Sequence, residues 1–429
     1  IMKKQIGFIS TRFAGTDGVS LEASKWASIF KAQGHACFYM AGTSDRSAAR
    51  SLVVPEAHFQ HESNQWINAR ILGRKNRPPA VTDAIHDMRA FLKKRLREFI
   101  RSFALDLLVV ENALAIPMHL PLGLAITEII AETRIPTIAH HHDFYWERTR
   151  YSLNAVGDYL RMAFPPSLYN IEHVVINTPA QEALAHRTGL SSIIIPNVLD
   201  FENPPAADRR TTRRFRESIG LEPDDIMILQ PTRVVARKGI EHAIELVKGL
   251  DDPRCKLVIS HEAGDEGEGY AQWLKDTARR QGVDLRFAPM HIDDPINLDG
   301  DEAIASAGGY SLWDVYPHAD LITYPSLYEG FGNAFLEAVY FKKPVLINRY
   351  AIFVKDIEPL GFDLIQMDGY LTQKNIDQVR AVLESAERRR QMTQKNYDIA
   401  RRHYSYAVLR NQLNYMLHLF FGINSLASL

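Results

Sequence analysis

Two acidic residues that flank a glycine-rich turn are the side chains best suited to chemistry. Glu329 and Glu337 stand eight positions apart, and residues 330–333, Gly-Phe-Gly-Asn, lie between them. An apolar run at 321–324 precedes this segment and a helical pattern follows it, which predicts a turn from a strand into a helix. Glycines let the backbone approach a ligand, and the first N–H groups of a helix bind hydroxyls or anions. Paired acids would accept hydrogen bonds from vicinal sugar hydroxyls, although the helix dipole alone also favours an acid at Glu329.

Basic residues follow an earlier strand-like run, residues 225–231, and precede another helical pattern. Arg233 and Lys238 are five positions apart, and Arg237 directly precedes Lys238. A diphosphate leaving group accumulates negative charge as its bond to a sugar breaks, and fixed cations stabilise that charge without a metal ion. Arginine offers a bidentate fork and lysine a compact point charge. The pattern predicts phosphate ligands, with Arg237 the least inward of the three, and a solvated basic loop is the alternative.

A pair of glycines follows the first strand-like run of the chain, residues 6–10. Gly15 and Gly18 stand in the segment 13–20. Ligands bind to α/β folds at the carboxyl ends of parallel strands, so this loop is predicted to lie beside a ligand. The G-x-G-x-x-G pattern of nicotinamide-binding folds is absent here, which argues against a dehydrogenase.

Three consecutive histidines, residues 140–142, stand at the end of a further strand-like run. Neighbours on an extended strand point to opposite faces, so three in a row do not converge readily, and no metal site is predicted. His142 is the preferred functional histidine because it starts the loop, and His141 is the second choice. The loop adds an acid that could orient a neighbour and two aromatic residues that could stack on a sugar or pack in the core: Asp143, Tyr145 and Trp146.

Strands that alternate with helices must position these segments. Such alternation implies parallel βαβ units with right-handed crossovers. A stretch rich in Pro and Asn at 196–205 interrupts the pattern and predicts a linker. We therefore expect a first domain of residues 1–203 plus a helix at about 404–429 that crosses back, and a second domain of residues 204–403. The predicted strands are 6–10, 36–40, 105–111, 137–141, 173–177 and 192–196, then 225–231, 256–260, 284–288, 321–324 and 345–348.

The E-x7-E spacing of Glu329 and Glu337 around Gly-Phe-Gly resembles the signature of glycosyltransferase family 4. Members are retaining enzymes of the α/β GT-B fold, in which two Rossmann-like, doubly wound domains face a cleft. The resemblance implies that Glu329 touches the donor sugar, that Glu337 binds the ribose, and that Arg233 and Lys238 hold the diphosphate. It places one histidine near the anomeric carbon of the donor or near its sugar hydroxyls. The remaining donor-side positions that it implies are Gly15, Gly18, Gly330, Phe331, Gly332 and Asn333.

These motifs run from residue 15 to residue 337 in the family's order, and they are strongest in the second half of the chain. The segment 140–148 departs from the common family form and leaves the acceptor open. It resembles members that act on small solutes, of the mannosylglucosylglycerate and sucrose-phosphate synthase type.

The overall composition excludes several other classes of protein. The formal net charge of −1 lacks the basic excess of nucleic-acid binders. The 2 cysteines, Cys37 and Cys255, have no metal-ligand neighbours and form no disulfide framework, which predicts a reducing compartment, the cytoplasm. The first apolar run is interpreted as a strand and not as a signal peptide. A basic helix at 82–103 and the pair Phe420-Phe421 could contact a membrane surface, but a solvated face and packing within the fold are favoured.

The sequence therefore predicts a hexosyltransferase that uses a UDP- or GDP-linked sugar, requires no cofactor and acts on a sugar or another small polar acceptor. Two alternatives stay open: a nucleotide-sugar epimerase of the same fold, and a protein that binds sugar nucleotides without catalysis.

Overall fold

The computed structural model describes residues 2–15, 17–204, 215–261, 268–288 and 312–422. The chain divides into two compact units. The first contains the residues up to Pro196 together with those from Leu409 onward, and the second is Asn197–Val408.

Parallel strands form the centre of the first unit. They are β1 (Gln5–Ile9), β2 (Ala36–Ala41), β3 (Ser51–Val53), β4 (Leu107–Glu111), β5 (Thr137–His141), β6 (Ile171–Val175) and β7 (Ile193–Ile194). They lie in the order β3-β2-β1-β4-β5-β6-β7. Every residue of β4 and β5 is buried, as expected for parallel strands with both faces covered.

Helices cover this sheet and complete its core. They are α1 (Gly18–Ala32), α2 (Glu62–Ile71), α3 (Pro79–Ser102), α4 (Leu120–Thr133), α5 (Gly157–Ala163) and α6 (Thr178–Thr188). The basic helix α3 turns part of its charge toward α4, where Arg89 and Lys93 bond Glu128 at 2.6 and 2.7 Å. This stretch of its basic face is therefore paired within the unit.

The second unit repeats the plan with a parallel sheet of its own. Its strands are β8 (Ile226–Gln230), β9 (Cys255–Ile259), β10 (Leu285–Phe287), β11 (Leu321–Tyr324), β12 (Val345–Asn348) and β13 (Ile365–Met367), in the order β10-β9-β8-β11-β12-β13. Its helices are α7 (Glu241–Leu250), α8 (Glu268–Gln281), α9 (Leu312–Val315), α10 (Asn333–Tyr340), α11 (Gln373–Glu384) and α12 (Ala386–His403).

The last described helix, α13 (Tyr406–Phe421), returns the chain to the first unit. Gln33 donates a hydrogen bond to the amide oxygen of Asn414 at 2.8 Å, and the Lys4 ammonium lies 4.1 Å from the ring centroid of Phe421. Apolar residues at helical spacing indicate this helix, and while Phe420 is half-buried, the other four are buried: Leu409, Leu413, Met416 and Leu417. Among the helices within the described residues, none combines the length and apolar character that a membrane span requires.

In each sheet the strand order reverses at one point, between β1 and β4 in the first unit and between β8 and β11 in the second. The loops that leave two such strands run to opposite faces of the sheet, which opens a crevice at their carboxyl ends. All the segments singled out for chemistry follow these strands or the adjacent β5. The fold thus presents two loop clusters, one in each unit.

All of the predicted strands are present, with shifts of up to two residues at their ends. The helical pattern that follows the basic residues forms a helix from Glu241, just after Gly239, which adopts a left-handed conformation with φ of 60°. The short edge strand β3, the helices α2 and α6, and the later elements β13, α11 and α12 were not among the predictions.

One buried histidine makes the stability of the first unit depend on pH. His119 accepts a hydrogen bond from Leu122 N through Nδ1 at 3.1 Å, while its Nε2 contacts the carbonyl oxygen of Glu56 at 2.8 Å. Both contacts suit a neutral ring. Burial lowers the pKa of His119 to about 4, despite the opposing contact with Glu56.

We expect the free energy of unfolding to fall as the pH drops from 6.5 toward 4, because the unfolded chain takes up this proton first. By pH 5, protonation of His119 in the unfolded chain lowers the free energy of unfolding by about 2 kcal/mol. Unfolding in urea at pH 7 and pH 5 measures the loss, and His119→Gln, which keeps a donor and an acceptor, should show a smaller difference. An equal pH dependence in both proteins would assign the effect to other groups.

Candidate active site

In the second unit, the loops that follow β8 and β11 are held together through their backbones. Leu327 N donates to the carbonyl oxygen of Arg237 at 2.9 Å. A Cβ atom added to Gly239 would lie 2.6 Å from the carbonyl oxygen of Pro325. Only glycine fits both this approach and the left-handed backbone. Gly239 therefore allows the basic loop to lie directly against the acidic one.

The contact that results is a buried ion pair between Lys238 and Glu329. Lys238 Nζ bonds Glu329 Oε1, and each residue is only 8% exposed. Arg237 approaches the other carboxylate oxygen at 3.6 Å and donates to the carbonyl of Tyr328 at 3.1 Å. Burial lowers the pKa of Lys238, and the Glu329 charge opposes this effect. Lys238 and Glu329, which were predicted from separate motifs, are thus in direct contact.

Further positive charge lies beside this pair. Arg233 is exposed, and its charge acts on both Lys238 and His261. His261 follows β9 closely, and its Nδ1 lies 2.9 Å from Ser260 Oγ. Burial above all, and then Arg233 and Lys238, lower its pKa to about 4. The sequence reasoning missed His261, although its place at the end of a neighbouring strand was a usable signal.

Glu337 faces the same region from α10. Tyr316 donates a hydrogen bond to Glu337 Oε2 at 2.7 Å and also approaches the carbonyl of Ala334 at 3.3 Å. Burial and the charge of Glu329, with a smaller effect from Glu337, raise the pKa of Tyr324. Both acids therefore act on one buried tyrosine. Tyr316 is a second residue that the sequence reasoning missed.

The glycine-rich turn is held in an unusual backbone conformation. Gly332 has φ of 123°, and an added Cβ would lie 2.3 Å from Tyr350 Oη, which donates to the carbonyl of Phe331 at 2.9 Å. Gly330 faces open space where its Cβ would be. Asn333, the first residue of α10, accepts a hydrogen bond from Asn197 at 2.7 Å. Gly332, which directly precedes α10, has no side chain that could cap the helix, which suits an N-terminus that receives a ligand.

In the first unit, the segment after β1 builds the start of α1. Asp17 caps this helix by accepting from Val19 N and Ser20 N at 3.2 and 3.1 Å, and its second oxygen accepts from Arg12 at 3.0 Å. Gly15 has φ of 79°. Gly18 is the first residue of α1, and a Cβ atom added to it would meet open space.

A pocket opens beside this segment, at the reversal point between β1 and β4. Ser10 Oγ donates to the carbonyl of Glu111 at 3.2 Å and so joins the two strand ends. Arg12 lies 5.5 Å from the ring centroid of Phe59. The pocket combines polar groups with an apolar wall: Ser10, Thr11, Arg12, Asp17, Val19, Phe59, Glu111, Asn112, Ala113, Ile116 and Met118.

The three histidines separate as alternation on a strand requires. His140 and His142 both reach Glu111 Oε2, at 2.9 and 3.1 Å. His141 points elsewhere, and its Nε2 lies 2.9 Å from Nδ1 of the buried His173. Of the two predicted functional histidines, the structure thus brings His142 to the strand ends and places His141 in a separate buried contact.

The other candidates of this loop are partly engaged within the first unit. Asp143 accepts from Asn112 at 3.0 Å and forms an ion pair with Arg148 at 2.5 Å. Trp146 stacks on Phe144 with ring centroids 4.4 Å apart. Tyr145 and Trp146 both pack against a hydrophobic cluster that includes Tyr151. Packing within the first unit, the alternative to stacking on a sugar, thus covers much of the surface of both aromatic residues.

Known proteins share this architecture. A protein of Anabaena, HepE, crystallised with UDP and glucose, matches with a TM-score of 0.66 and 14% identity over 96% of this chain and 99% of that one. Sucrose-phosphate synthase of Thermosynechococcus elongatus also matches with a TM-score of 0.66, at 13% identity over 98% and 100% of the two chains. Two Rossmann-like parallel sheets and these likenesses define a GT-B glycosyltransferase fold.

Sequence comparison gives the family. The family model for glycosyl transferases group 1 matches residues 304–399. Mannosylglucosylglycerate synthase of Petrotoga mobilis is 33% identical over 393 residues, which cover 85% of this chain and 86% of the relative. The synthase of the same name from Thermotoga maritima is 28% identical and covers 96% and 99%. The chain belongs to the group 1 glycosyltransferases, and the predicted fold and family are confirmed.

The buried ion pair predicts a measurable coupling in stability. Glu329→Gln or Lys238→Met alone leaves a buried charge without its partner and should lower the free energy of unfolding by about 3 kcal/mol. The double variant removes both charges, so its loss should be clearly smaller than the sum of the two single losses. Urea unfolding of all four proteins measures this coupling.

The control is the more exposed pair Arg349 and Glu358, whose atoms lie 2.9 Å apart. Arg349→Met should cost less than about 1 kcal/mol. Strict additivity at Lys238 and Glu329 would contradict the interpretation of a coupled pair.

Proposed function

We propose that this glycosyltransferase moves a hexosyl group, with retention of configuration, from a UDP- or GDP-linked donor to a small polar acceptor. The observation that carries the proposal is the buried contact of Lys238 with Glu329 at the reversal point of the second sheet, with Arg233 beside it. A cation and a carboxylate in contact at the end of two strands match the two ends of a nucleotide sugar, one anionic and one rich in hydroxyls.

On this proposal the second unit binds the donor. Lys238 and Arg233 neutralise the diphosphate, and Glu337, oriented by Tyr316, accepts hydrogen bonds from the ribose hydroxyls. Glu329 accepts from hydroxyls of the sugar. The backbone N–H groups at the start of α10, where Gly332 brings no capping side chain, supply further donors to the ligand.

In the transfer step, the bond between the anomeric carbon and the diphosphate oxygen breaks while the acceptor oxygen bonds to the same face of that carbon. The acceptor hydroxyl loses its proton to the departing phosphate oxygen, and the products are the glycoside and the nucleoside diphosphate. Fixed cations stabilise the charge that develops on the leaving group. The chain's own residues therefore need to bind and orient both substrates, and no covalent intermediate is required.

The names of the relatives suggest both substrates. They denote synthases of mannosylglucosylglycerate, and a further relative in Petrotoga mobilis, 24% identical over 282 residues, is named mannosylglucosyl-3-phosphoglycerate synthase. We infer that this chain transfers mannose to glucosylglycerate or its phosphorylated form. Both acceptors carry an anion at one end and sugar hydroxyls at the other.

The pocket of the first unit suits such an acceptor. Arg12 supplies its cation, and Ser10, Thr11 and Asn112 supply hydrogen-bonding groups for hydroxyls. Gly15 and Gly18 keep the approach open, and on this proposal Asp143 and the pair of Glu111 with His142 border the sugar. The Asp17 contact involves one terminal nitrogen of Arg12, whereas a guanidinium carries five N–H donors.

We expect variants of the donor residues to lose transfer. Lys238→Ala and Glu329→Gln should lower kcat/KM by about 100-fold or more, because each removes a group that acts on the breaking bond or on the sugar. Glu337→Gln should raise the donor KM with less effect on kcat, since the ribose does not react. Release of nucleoside diphosphate from UDP- and GDP-linked sugars, with glucosylglycerate as acceptor, provides the assay.

Lys342→Ala is the matched control, since Lys342 lies just past α10 and its ammonium group bonds Gln394 at 2.9 Å and lies over the ring of Tyr397. Each variant must also unfold cooperatively. Full activity in both Lys238→Ala and Glu329→Gln would sink the proposed site. Analysis of the product separates the alternatives, because an epimerase releases an altered sugar without using acceptor and a binding protein turns over nothing.

Arg12 provides a separate test of the acceptor. Arg12→Gln should raise the KM for glucosylglycerate about 10- to 100-fold, the loss expected for a charge-assisted hydrogen bond, and should leave the donor KM nearly unchanged. The KM for an uncharged analogue, glucosylglycerol, should be the same in Arg12→Gln and in the unmodified protein. Arg70→Gln is the control, because Arg70 stacks on Trp66 at 4.0 Å and does not line the pocket. An unchanged acceptor KM in Arg12→Gln would place the anion elsewhere.

A further inference from the structure

Three side chains with the chemistry of metal ligands meet at the ends of β4 and β5. Glu111 pairs with His140 in the register of these strands, and His142 returns to the same face two positions later. Glu111 Oε2 lies 2.9 Å from His140 Nδ1 and 3.1 Å from His142 Nε2. One ligand atom from each residue lies within 4.8 Å of the other two.

The cluster is buried, yet its polar atoms are incompletely satisfied. Glu111 is fully buried and His140 is 1% exposed. Among the described residues, Glu111 Oε1 and both ring nitrogens of His140 have no hydrogen-bond partner, so the 2.9 Å approach of His140 to Glu111 lacks the alignment of a hydrogen bond. A buried polar group without a partner costs about 1–3 kcal/mol. An ion at the centre of the cluster would use one carboxylate oxygen of Glu111 and the lone pair of one His140 ring nitrogen.

The ligand set favours a particular class of ion. Two histidines and one glutamate form the protein ligands of catalytic zinc sites that leave a fourth position open, and imidazole ligands suit zinc, copper, iron and nickel. Zinc bonds of about 2.0–2.1 Å at tetrahedral angles place two ligand atoms roughly 3.3 Å apart. The distances from Glu111 Oε2 to the two histidine nitrogens, 2.9 and 3.1 Å, need to widen by only a few tenths of an ångström.

The surroundings hold the ligands in place and include a second buried acid that has its own partner. Trp26 stacks on the His140 ring with centroids 4.4 Å apart. Glu22 is buried nearby, but its charge is matched by Lys25 at 2.5 Å. The Lys25 charge is thus engaged with Glu22, and His140 and His142 are the basic groups in contact with the Glu111 carboxylate. Glu111 also lines the pocket of the first unit, which gives an ion from solvent a route to the cluster.

We propose that Glu111, His140 and His142 bind one divalent transition-metal ion, with zinc the best fit, beside the pocket of the first unit. The expectation of no metal rested on the divergence of neighbouring histidines, but the alternate pair does not diverge. The site goes beyond the proposed transfer reaction. It gives Nε2 of His142 the role of a metal ligand, and a substrate hydroxyl or a water molecule could take the open position.

The test is metal binding by the whole chain, measured without an activity assay. Protein freed of metal by a chelator should bind one equivalent of Co²⁺, with the visible absorption of a four-coordinate site, and one equivalent of Zn²⁺ by elemental analysis. Zn²⁺ should also raise the melting temperature by mass action. Glu111→Gln and His142→Ala should weaken binding by at least about 100-fold, since loss of a ligand exceeds the effect of losing an outer contact.

His141→Gln is the matched control, because it changes the middle histidine of the same run and leaves all three ligands in place. It should bind Co²⁺ with the same spectrum. Lack of Co²⁺ and Zn²⁺ binding by the unmodified chain would overturn the inference, as would a spectrum unchanged in Glu111→Gln or His142→Ala. Transfer activity assayed in parallel keeps the two proposals apart: transfer without metal binding overturns the metal site alone, and metal binding without transfer overturns the transfer proposal alone.

Discussion

The pair of Lys238 and Glu329 is the interaction on which the second unit's loop cluster depends. Two opposite charges can be buried only if they are in contact. The loops after β8 and β11 must therefore lie against each other for this pair to be buried. Gly239 provides the close approach, and the backbone bond of Leu327 with Arg237 secures it. The reversal of strand order between the two strands supplies the space in which these loops meet.

The sequence predicts the parts of this arrangement that are local. Alternating strand and helix patterns reveal two parallel sheets, and the spacing of Glu329 and Glu337 places one acid in a turn and the other on a helix. The shortest elements escape detection, since three residues such as those of β3 carry too little periodicity. The direct contact of Lys238 with Glu329 also escapes, because 91 positions separate them and only strand order brings them together.

The histidine run at 140–142 also shows that the sequence predicts local geometry but not contacts between strands. Alternation along β5 predicts that His141 diverges from its two neighbours, and it does. The partner Glu111 belongs to another strand, so its contact with His140 depends on the register between β4 and β5. Tyr316 and His261 were missed for a related reason. Tyr316 bonds Glu337, and the charges of Arg233 and Lys238 act on His261, but neither residue carries a motif of its own.

The two loop clusters differ in how many of their charged and polar side chains have a partner when no ligand is bound. In the second unit Lys238 already has Glu329, so a nucleotide sugar has to exchange this contact for two others. A diphosphate alone would take Lys238 and leave Glu329 with only the more distant and more exposed Arg237 as its cation, at a cost that offsets part of the gain. A sugar attached to the diphosphate removes that cost, because its hydroxyls donate to the freed carboxylate. On the proposed function, the buried pair therefore makes recognition of the anion depend on recognition of the sugar, and discrimination between intact donor and product follows from the same contact that holds the loops together.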